Sequence, residues 1–197
     1  MILIKLSLLI VLFSSVNPEE PLKPYISSYI EDHKYMAIDE MVRTGIPASV
    51  IMAQAIIESN AGISKLARIT NNHFGIKCKD YWEGGAYYHP DDDRDKNGTL
   101  IPSCFRKYET IRDSYTDHSD FLTTTLNYRP LFIFDKTEYK SWAEGLEMCG
   151  YASDEQYAEK LIRTIELYGL HDLDFFTIKY VERSDVSPAG DTGATQE

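Results

Sequence analysis

The feature of this 197-residue chain that most constrains its fold is a break in its helical pattern. Apolar residues recur at helical spacing before and after residues 74–108, whereas that segment carries glycines, prolines and short aromatic runs. Gly84-Gly85 and Asn97-Gly98, both inside it, are typical of turns between strands. The pattern predicts an α+β fold, mainly α, in which one β-hairpin is inserted between helices.

Helical periodicity predicts six helices in one domain over 25–175, and the chain is long enough for one well-formed core. Gly45 and Gly62 are typical helix stops, and Pro47 is typical of a first helical turn because that position needs no N–H donor. The predicted helices cover 25–44, 47–62, 65–69, 111–125, 139–148 and 155–168.

The two ends of the chain differ in composition from this domain. Lys5 precedes an apolar run over 6–13 and then small residues, which is the pattern of a secretory signal peptide over 1–17. An uncleaved anchor is the alternative, but the run is shorter than the roughly 20 residues that span a bilayer. The mature protein is expected to be periplasmic or secreted, without stable membrane insertion. Ser, Pro, Gly, Asp and Thr dominate 183–197, which predicts a disordered tail.

Charge and cysteine content exclude several classes of function. Thirty-one acidic residues outweigh twenty basic ones, giving a net charge of −11, which argues against nucleic acid as a partner. The three cysteines lack C-x-x-C spacing, so neither a structural metal site nor a cofactor is predicted. Residues 93–98 match the start of a calcium loop, but Cys104 stands where that loop needs glutamate. A tight turn is therefore favoured there over calcium binding. Nothing in the sequence predicts the oligomeric state.

Glu58 is the residue that most directly suggests chemistry. Helical spacing places it on one stripe with Ile51 and Ala55, whereas glutamate ordinarily lies on a solvated face. Lost hydration would raise its pKa, and a retained proton is what a general acid needs. The alternative is that Val50 and Ile56 mark the buried stripe and Glu58 is a solvated residue at the helix end.

Four segments, in this order along the chain, resemble the glucosaminidase family of bacterial peptidoglycan hydrolases, glycoside hydrolase family 73. The resemblance extends over about 25–170, nearly the whole predicted domain. The segments are Ala-Gln-Ala-Ile-Ile-Glu-Ser-Asn-Ala-Gly-Ile-Ser at 53–64, Asn-Asn-His-Phe-Gly-Ile-Lys at 71–77, Cys-Phe-Arg-Lys-Tyr at 104–108 and Gly-Tyr-Ala-Ser-Asp at 150–154.

This resemblance implies a lysozyme-like fold and cleavage of the β-1,4 bond after N-acetylglucosamine, with Glu58 as the general acid. Glycoside cleavage usually uses a second carboxylate across the scissile bond. The family commonly carries it on the hairpin as Thr-x-Glu, a pattern that this hairpin lacks. An aspartate would have to take the role, with Asp92 as the first candidate by loop counting and Asp91 as the second.

The resemblance also implies which residues contact the sugar. Tyr151 and Tyr128 match positions expected to hold the saccharide or orient the acid. The alternative for each is a core tyrosine; the functional role is favoured for Tyr151, and the two roles stand level for Tyr128. Phe74 is a further candidate for substrate binding, but with Gly75 it more readily shapes the turn into the hairpin. Arg106 is expected either to pair with a buried carboxylate or to contact substrate.

Cys78 directly follows the 71–77 segment and ends one strand, and Cys104 begins the returning strand. In an oxidising compartment they are expected to form a disulfide at the base of the hairpin. Cys149 would then remain as a small, buried, unpaired residue.

The resulting hypothesis is a secreted endo-β-N-acetylglucosaminidase that acts on peptidoglycan glycan strands without a metal. One alternative is lytic cleavage, in which a single carboxylate suffices because the muramic acid attacks its own anomeric carbon. The other is a catalytically inactive cell-wall-binding module, which the missing Thr-x-Glu favours.

Overall fold

The computed structural model describes residues 22–175 and shows a set of helices with one antiparallel hairpin. The predicted signal peptide and the predicted C-terminal tail lie outside the described residues. The helices are α1 Pro24–Thr44, α2 Ala48–Ser59, α3 Lys65–Thr70, α4 Ile111–Thr124, α5 Tyr139–Met148 and α6 Tyr157–Tyr168; the strands are β1 Gly85–Arg94 and β2 Leu100–Lys107; and two 3-10 helices cover Leu126–Ile133 and Leu170–Phe175.

The predicted mixture of helices and one hairpin is confirmed, with differences at helix ends. Helix α2 ends at Ser59 rather than 62, because Asn60 adopts a left-handed conformation (φ 50°) and its N–H bonds back to the helix. Pro47 precedes α2 as its N-cap instead of lying in the first turn. Helix α6 begins two residues later than predicted, and neither 3-10 helix was predicted, since such short segments leave no clear period.

Helix α2 is the centre of the fold. Its residues from Ala48 to Ile56 are all buried, because α1, α5, α6 and the C-terminal 3-10 helix pack around it. Each fully buried aliphatic side chain, such as Val50 or Ile51, contributes about 1.5–3 kcal/mol relative to exposure. The helix has no solvated face along most of its length, so a polar residue on it must find a partner or a cleft.

A side chain from the C-terminal end of the domain caps the N-terminus of α2. The carboxylate of buried Asp174, in the C-terminal 3-10 helix, accepts hydrogen bonds from the backbone N–H of Ser49 at 2.8 Å and from its hydroxyl at 2.6 Å. A negative charge at a helix N-terminus is favourable because the N–H groups there lack partners within the helix. Asp174 thereby fixes the position of the central helix.

The hairpin is tied to the helices at its base. Strands β1 and β2 pair antiparallel, with an irregular register between Pro90 and Arg94. The expected disulfide between Cys78 and Cys104 is present, and the Cys78 N–H donates to the Cys104 carbonyl at 2.7 Å. The segment before β1 is therefore held against β2 by both covalent and backbone contacts.

Helix α5 packs closely against the first 3-10 helix. Gly145 permits this approach, since a Cβ at that position would lie 2.4 Å from a methyl carbon of Leu131. Within residues 22–175, none of the helices combines the length and the apolar character that crossing a bilayer requires.

Candidate active site

A cleft of about 420 Å³ opens between the C-terminal end of α2, the hairpin and the loop after α5. It contains the predicted acid, the three predicted sugar-contacting aromatic residues and one of the two predicted aspartates. Its lining residues are Glu58, Phe74, Gly75, Ile76, Lys77, Lys79, Asp91, Arg106, Phe121, Tyr128, Tyr151, Ala152 and Ser153.

Glu58 is half-buried in the last turn of α2 and faces this cleft. Burial raises the pKa of its carboxyl group, and a hydrogen bond from Tyr157 partly offsets that rise. The net direction is upward, so Glu58 holds its proton to higher pH than an ordinary glutamate. A protonated carboxyl group at the wall of a cleft can donate a proton to a bound molecule.

Two residues of the helical core hold Glu58 in place. The hydroxyl of Tyr157 donates to the Oε1 atom of Glu58 at 2.9 Å, and the side-chain amide of Gln54 donates to the same hydroxyl at 3.2 Å. Because the amide nitrogen can only donate, the tyrosine proton points toward the carboxylate. Gln54 lies one turn before Glu58 on α2, so the three groups form a short chain of directed hydrogen bonds.

Tyr157 was not among the site residues predicted from the sequence. A usable signal was present, since Tyr157 lies four residues before Leu161 and eight before Ile165, which are buried on the same face of α6. A tyrosine on an apolar stripe needs a partner for its hydroxyl group. That the partner is Glu58, 99 residues away, could not be inferred from spacing.

Aromatic rings form one wall of the cleft. The ring of Tyr151 stacks on Tyr157 with centroids 5.4 Å apart, and Tyr128 lies 6.1 Å from Tyr151. Phe74 is buried and stacks on the ring of His118 at 4.0 Å. The three predicted aromatic residues therefore combine packing roles with faces on the cleft, which suits a ligand that has both apolar and polar surfaces.

Acidic residues of strand β1 contribute to another wall. Asp91 lines the cleft, and its Oδ2 atom lies 2.9 Å from the Nζ atom of Lys77, which is also 2.9 Å from Oδ1 of Asp93. Lys77 is the main cause of a lowered pKa at Asp93. Asp92 lies between the two in β1, and its side chain is outside the described part of the structure.

Arg106 pairs with a carboxylate, which is the first of the two roles expected from the sequence. Its guanidinium group is buried and donates to both oxygens of Asp117 on α4, at 2.7 and 2.8 Å. It also lies over the ring of Trp82 at 4.5 Å. Arg106 reaches the cleft wall but is held by these contacts, which link β2 to the helices.

No group of three or more His, Cys, Asp or Glu side chains within the described residues is arranged to hold a metal ion. In the 93–98 segment, the side chain of Asp95 accepts hydrogen bonds from the N–H groups of Asn97 and Thr99, at 2.8 and 2.9 Å. Cys104, at the twelfth position of the calcium pattern, is bonded to Cys78 in the disulfide. The segment forms the tight turn that the sequence favoured.

The domain resembles several proteins whose names refer to cell-wall hydrolysis. The exo-glucosaminidase LytG of Bacillus subtilis is 36% identical over 132 residues, which is 64% of this chain and 45% of LytG. The catalytic domain of the autolysin Auto from Listeria monocytogenes superposes with a TM-score of 0.63 at 25% identity, covering 79% of this chain and 90% of that domain. An N-acetylmuramoyl-L-alanine amidase from Staphylococcus aureus gives a TM-score of 0.66 at 30% identity, covering 89% of this chain and 51% of that one.

This chain spans less than half the length of the named relatives it matches first, so the similarity concerns one domain of each. The family model described as mannosyl-glycoprotein endo-beta-N-acetylglucosaminidase matches residues 34–170, which include the whole of α2, the hairpin and α6. The solved relatives share the lysozyme-like architecture that the sequence predicted. The chain therefore belongs to the glucosaminidase family of glycoside hydrolases, family 73.

Proposed function

We propose that this protein is an endo-β-N-acetylglucosaminidase that hydrolyses the β-1,4 bond after N-acetylglucosamine in peptidoglycan. The observation that carries the proposal is the half-buried carboxyl group of Glu58, which faces an aromatic cleft and has a raised pKa. Membership of the glucosaminidase family supports the choice of substrate. The predicted signal peptide and the disulfide support action outside the cytoplasm.

In this proposal Glu58 protonates the oxygen of the glycosidic bond as the bond to the anomeric carbon breaks. Positive charge then develops on the sugar ring. A water molecule adds its hydroxyl group to the anomeric carbon, and its other proton passes to a carboxylate of the cleft. Asp91 is proposed as the second carboxylate, because it lines the same cleft as Glu58. Its negative charge would stabilise the transition state or assist the attack of water.

The aromatic wall is proposed to bind the sugar rings. Tyr151 and Tyr128 present rings to the cleft, and Phe74 extends the apolar surface. A pyranose has C–H groups on its faces and hydroxyl groups at its edges, so it can contact aromatic rings and polar groups together. Binding energy from several such subsites would hold the scissile bond beside Glu58.

The first test compares the wild type with Glu58→Gln on purified cell wall, with Glu144→Gln as the control because Glu144 is exposed on α5 outside the cleft. Loss of the general acid is expected to lower kcat about 100- to 10,000-fold, while the control keeps wild-type activity. The measurements are zymogram clearing and the rate at which new reducing ends appear. Equal clearing by wild type and Glu58→Gln would contradict the assignment of the acid.

The products distinguish the alternatives. Internal hydrolysis leaves N-acetylglucosamine at new reducing ends, whereas lytic cleavage leaves an anhydro sugar and no new reducing end. Release of single sugars from chain ends would indicate exo action, the activity in the name of LytG. Binding to cell wall without any cleavage by the wild type would support the inactive wall-binding module.

A further inference from the structure

A lysine in the cleft connects the fixed part of the hairpin to its acidic strand. The ammonium group of Lys77 lies 2.9 Å from carboxylate oxygens of both Asp91 and Asp93. These two aspartates are two residues apart in β1, and both side chains reach the same ammonium group. The three residues form a cluster that we call the acidic clamp.

The two sides of the clamp differ in how firmly they are attached. Lys77 lies between two backbone hydrogen bonds to β2, from Arg106 N–H to the Ile76 carbonyl at 2.9 Å and from Cys78 N–H to the Cys104 carbonyl. The adjacent disulfide adds a covalent tie. The regular pairing of β1 with β2, by contrast, is interrupted from Pro90 to Arg94, where the aspartates lie.

Strand pairing alone therefore leaves the acidic part of β1 weakly positioned. A bulge removes ladder hydrogen bonds and re-aims side chains, and such bulges are common near active sites. The acidic clamp takes the place of the missing ladder hydrogen bonds, because one ammonium group contacts a carboxylate oxygen of each aspartate. Lys77 lines the cleft together with Phe74, Gly75 and Ile76, so its ion pairs tie β1 to this part of the cleft wall.

We infer that Lys77 is a positioning residue, which holds the carboxylate of Asp91 in the cleft that Glu58 also lines. This inference rests on the proposed function, since it assumes that Asp91 acts on the substrate. Lys77 itself donates no proton and contributes to the reaction only by placing Asp91. The ion pairs are partly exposed, so they contribute little to folding and their main effect is on geometry.

The test is a double-mutant cycle between Lys77→Met and Asp91→Asn, measured as kcat and KM on soluble glycan fragments. We expect Lys77→Met to lower kcat about 10- to 100-fold with a small change in KM, because a displaced catalytic group reduces rate more than binding. Lys77→Arg, which keeps the charge, is expected to recover most of the rate. In the Asp91→Asn background, Lys77→Met is expected to have little further effect, since the two residues act as a unit.

Two controls separate this proposal from folding and from the proposed function. Lys107→Met removes an exposed lysine from β2 outside the cleft and is expected to keep wild-type kcat. The melting temperature of Lys77→Met is expected to stay within about 4 °C of the wild type, since an exposed ion pair contributes little. If Glu58→Gln is inactive while Lys77→Met keeps full kcat, the clamp is wrong and the proposed function stands.

Additive effects of Lys77→Met and Asp91→Asn would also overturn the clamp, because Lys77 would then act independently of Asp91. Wild-type activity of Asp91→Asn would overturn it as well, since nothing would remain for Lys77 to position. A wild-type rate for Glu58→Gln would instead show that the proposed function fails.

Discussion

Two opposing effects set the pKa of Glu58, and the smaller effect can be removed with a single substitution. Burial raises its pKa, and the Tyr157 hydroxyl lowers it by stabilising the charged carboxylate. At the scale of one residue, the proposed function therefore makes the working pH depend on Tyr157, which was not among the predicted site residues. The ring of Tyr157 also stacks on Tyr151, so the same residue supports the aromatic wall of the cleft.

Tyr157→Phe is expected to move the alkaline limb of the kcat/KM profile to higher pH by about one unit. The loss of a hydrogen bond to the carboxylate leaves burial unopposed and raises the pKa of Glu58 further. The alkaline limb reports deprotonation of the general acid in the free enzyme. The measurement is the pH dependence of kcat/KM from pH 4 to 9.

The matched control is Tyr139→Phe, which removes a tyrosine hydroxyl that donates to Glu166 outside the cleft. Its profile is expected to coincide with that of the wild type. An alkaline limb that stays in place or moves to lower pH in Tyr157→Phe would contradict the role given to this hydroxyl group.

At the scale of secondary-structure elements, α2 is positioned at both ends by residues distant in sequence. Tyr157 contacts its C-terminal turn, and Asp174, 125 residues after Ser49, caps its N-terminal turn. The C-terminal 3-10 helix is thus part of the scaffold of the active site although it lies outside the cleft. Its contribution can be measured as stability.

Asp174→Ala is expected to lower the free energy of unfolding by about 2 kcal/mol. The substitution leaves the N–H and hydroxyl groups of Ser49 buried without their acceptor. Chemical denaturation at pH 7 measures the change. Asp172→Ala is the control because Asp172 is exposed in the same 3-10 helix, and a similar loss in both variants would contradict the capping role.

At the scale of the whole molecule, buried histidines make the fold sensitive to acid. Burial lowers the pKa of His118 to about 3 and that of His73 to about 4. Between those values and the ordinary value of about 6.5, the unfolded chain binds protons that the folded protein does not. Stability contributed by these histidines is therefore complete above pH 6.5 and is lost as the pH falls toward 3.

His118→Phe is expected to flatten the dependence of stability on pH between 6.5 and 3, by up to about 1.4 kcal/mol per pH unit. Phenylalanine keeps the stacking on Phe74 and cannot be protonated. Asp174, whose pKa is raised to about 6, acts in the opposite direction, so the quantity to compare is the slope of the variant against that of the wild type. Equal slopes would contradict this account.

Across the whole molecule, some elements and site residues could be predicted from the sequence and others could not. Helical periodicity predicted the helices, and the loss of that period predicted the hairpin, because both are local patterns. Glu58 stood out because its stripe is apolar. The sequence does not show which hairpin aspartate lines the cleft, because the strand register is irregular there. It also does not show that Tyr157 contacts Glu58, because that contact joins two helices that are far apart in the chain.

The enclosure of α2 from Ala48 to Ile56 has a practical consequence for redesign. Since neighbouring elements cover it from Ala48 to Ile56, a change of side-chain volume there would disturb several of them at once. The outer end of the hairpin, around Gly98, is solvated and held by its own turn. Under the proposed function, laboratory evolution toward other polysaccharides would therefore be expected to accept changes at the outer end of the hairpin, while α2 stays unchanged.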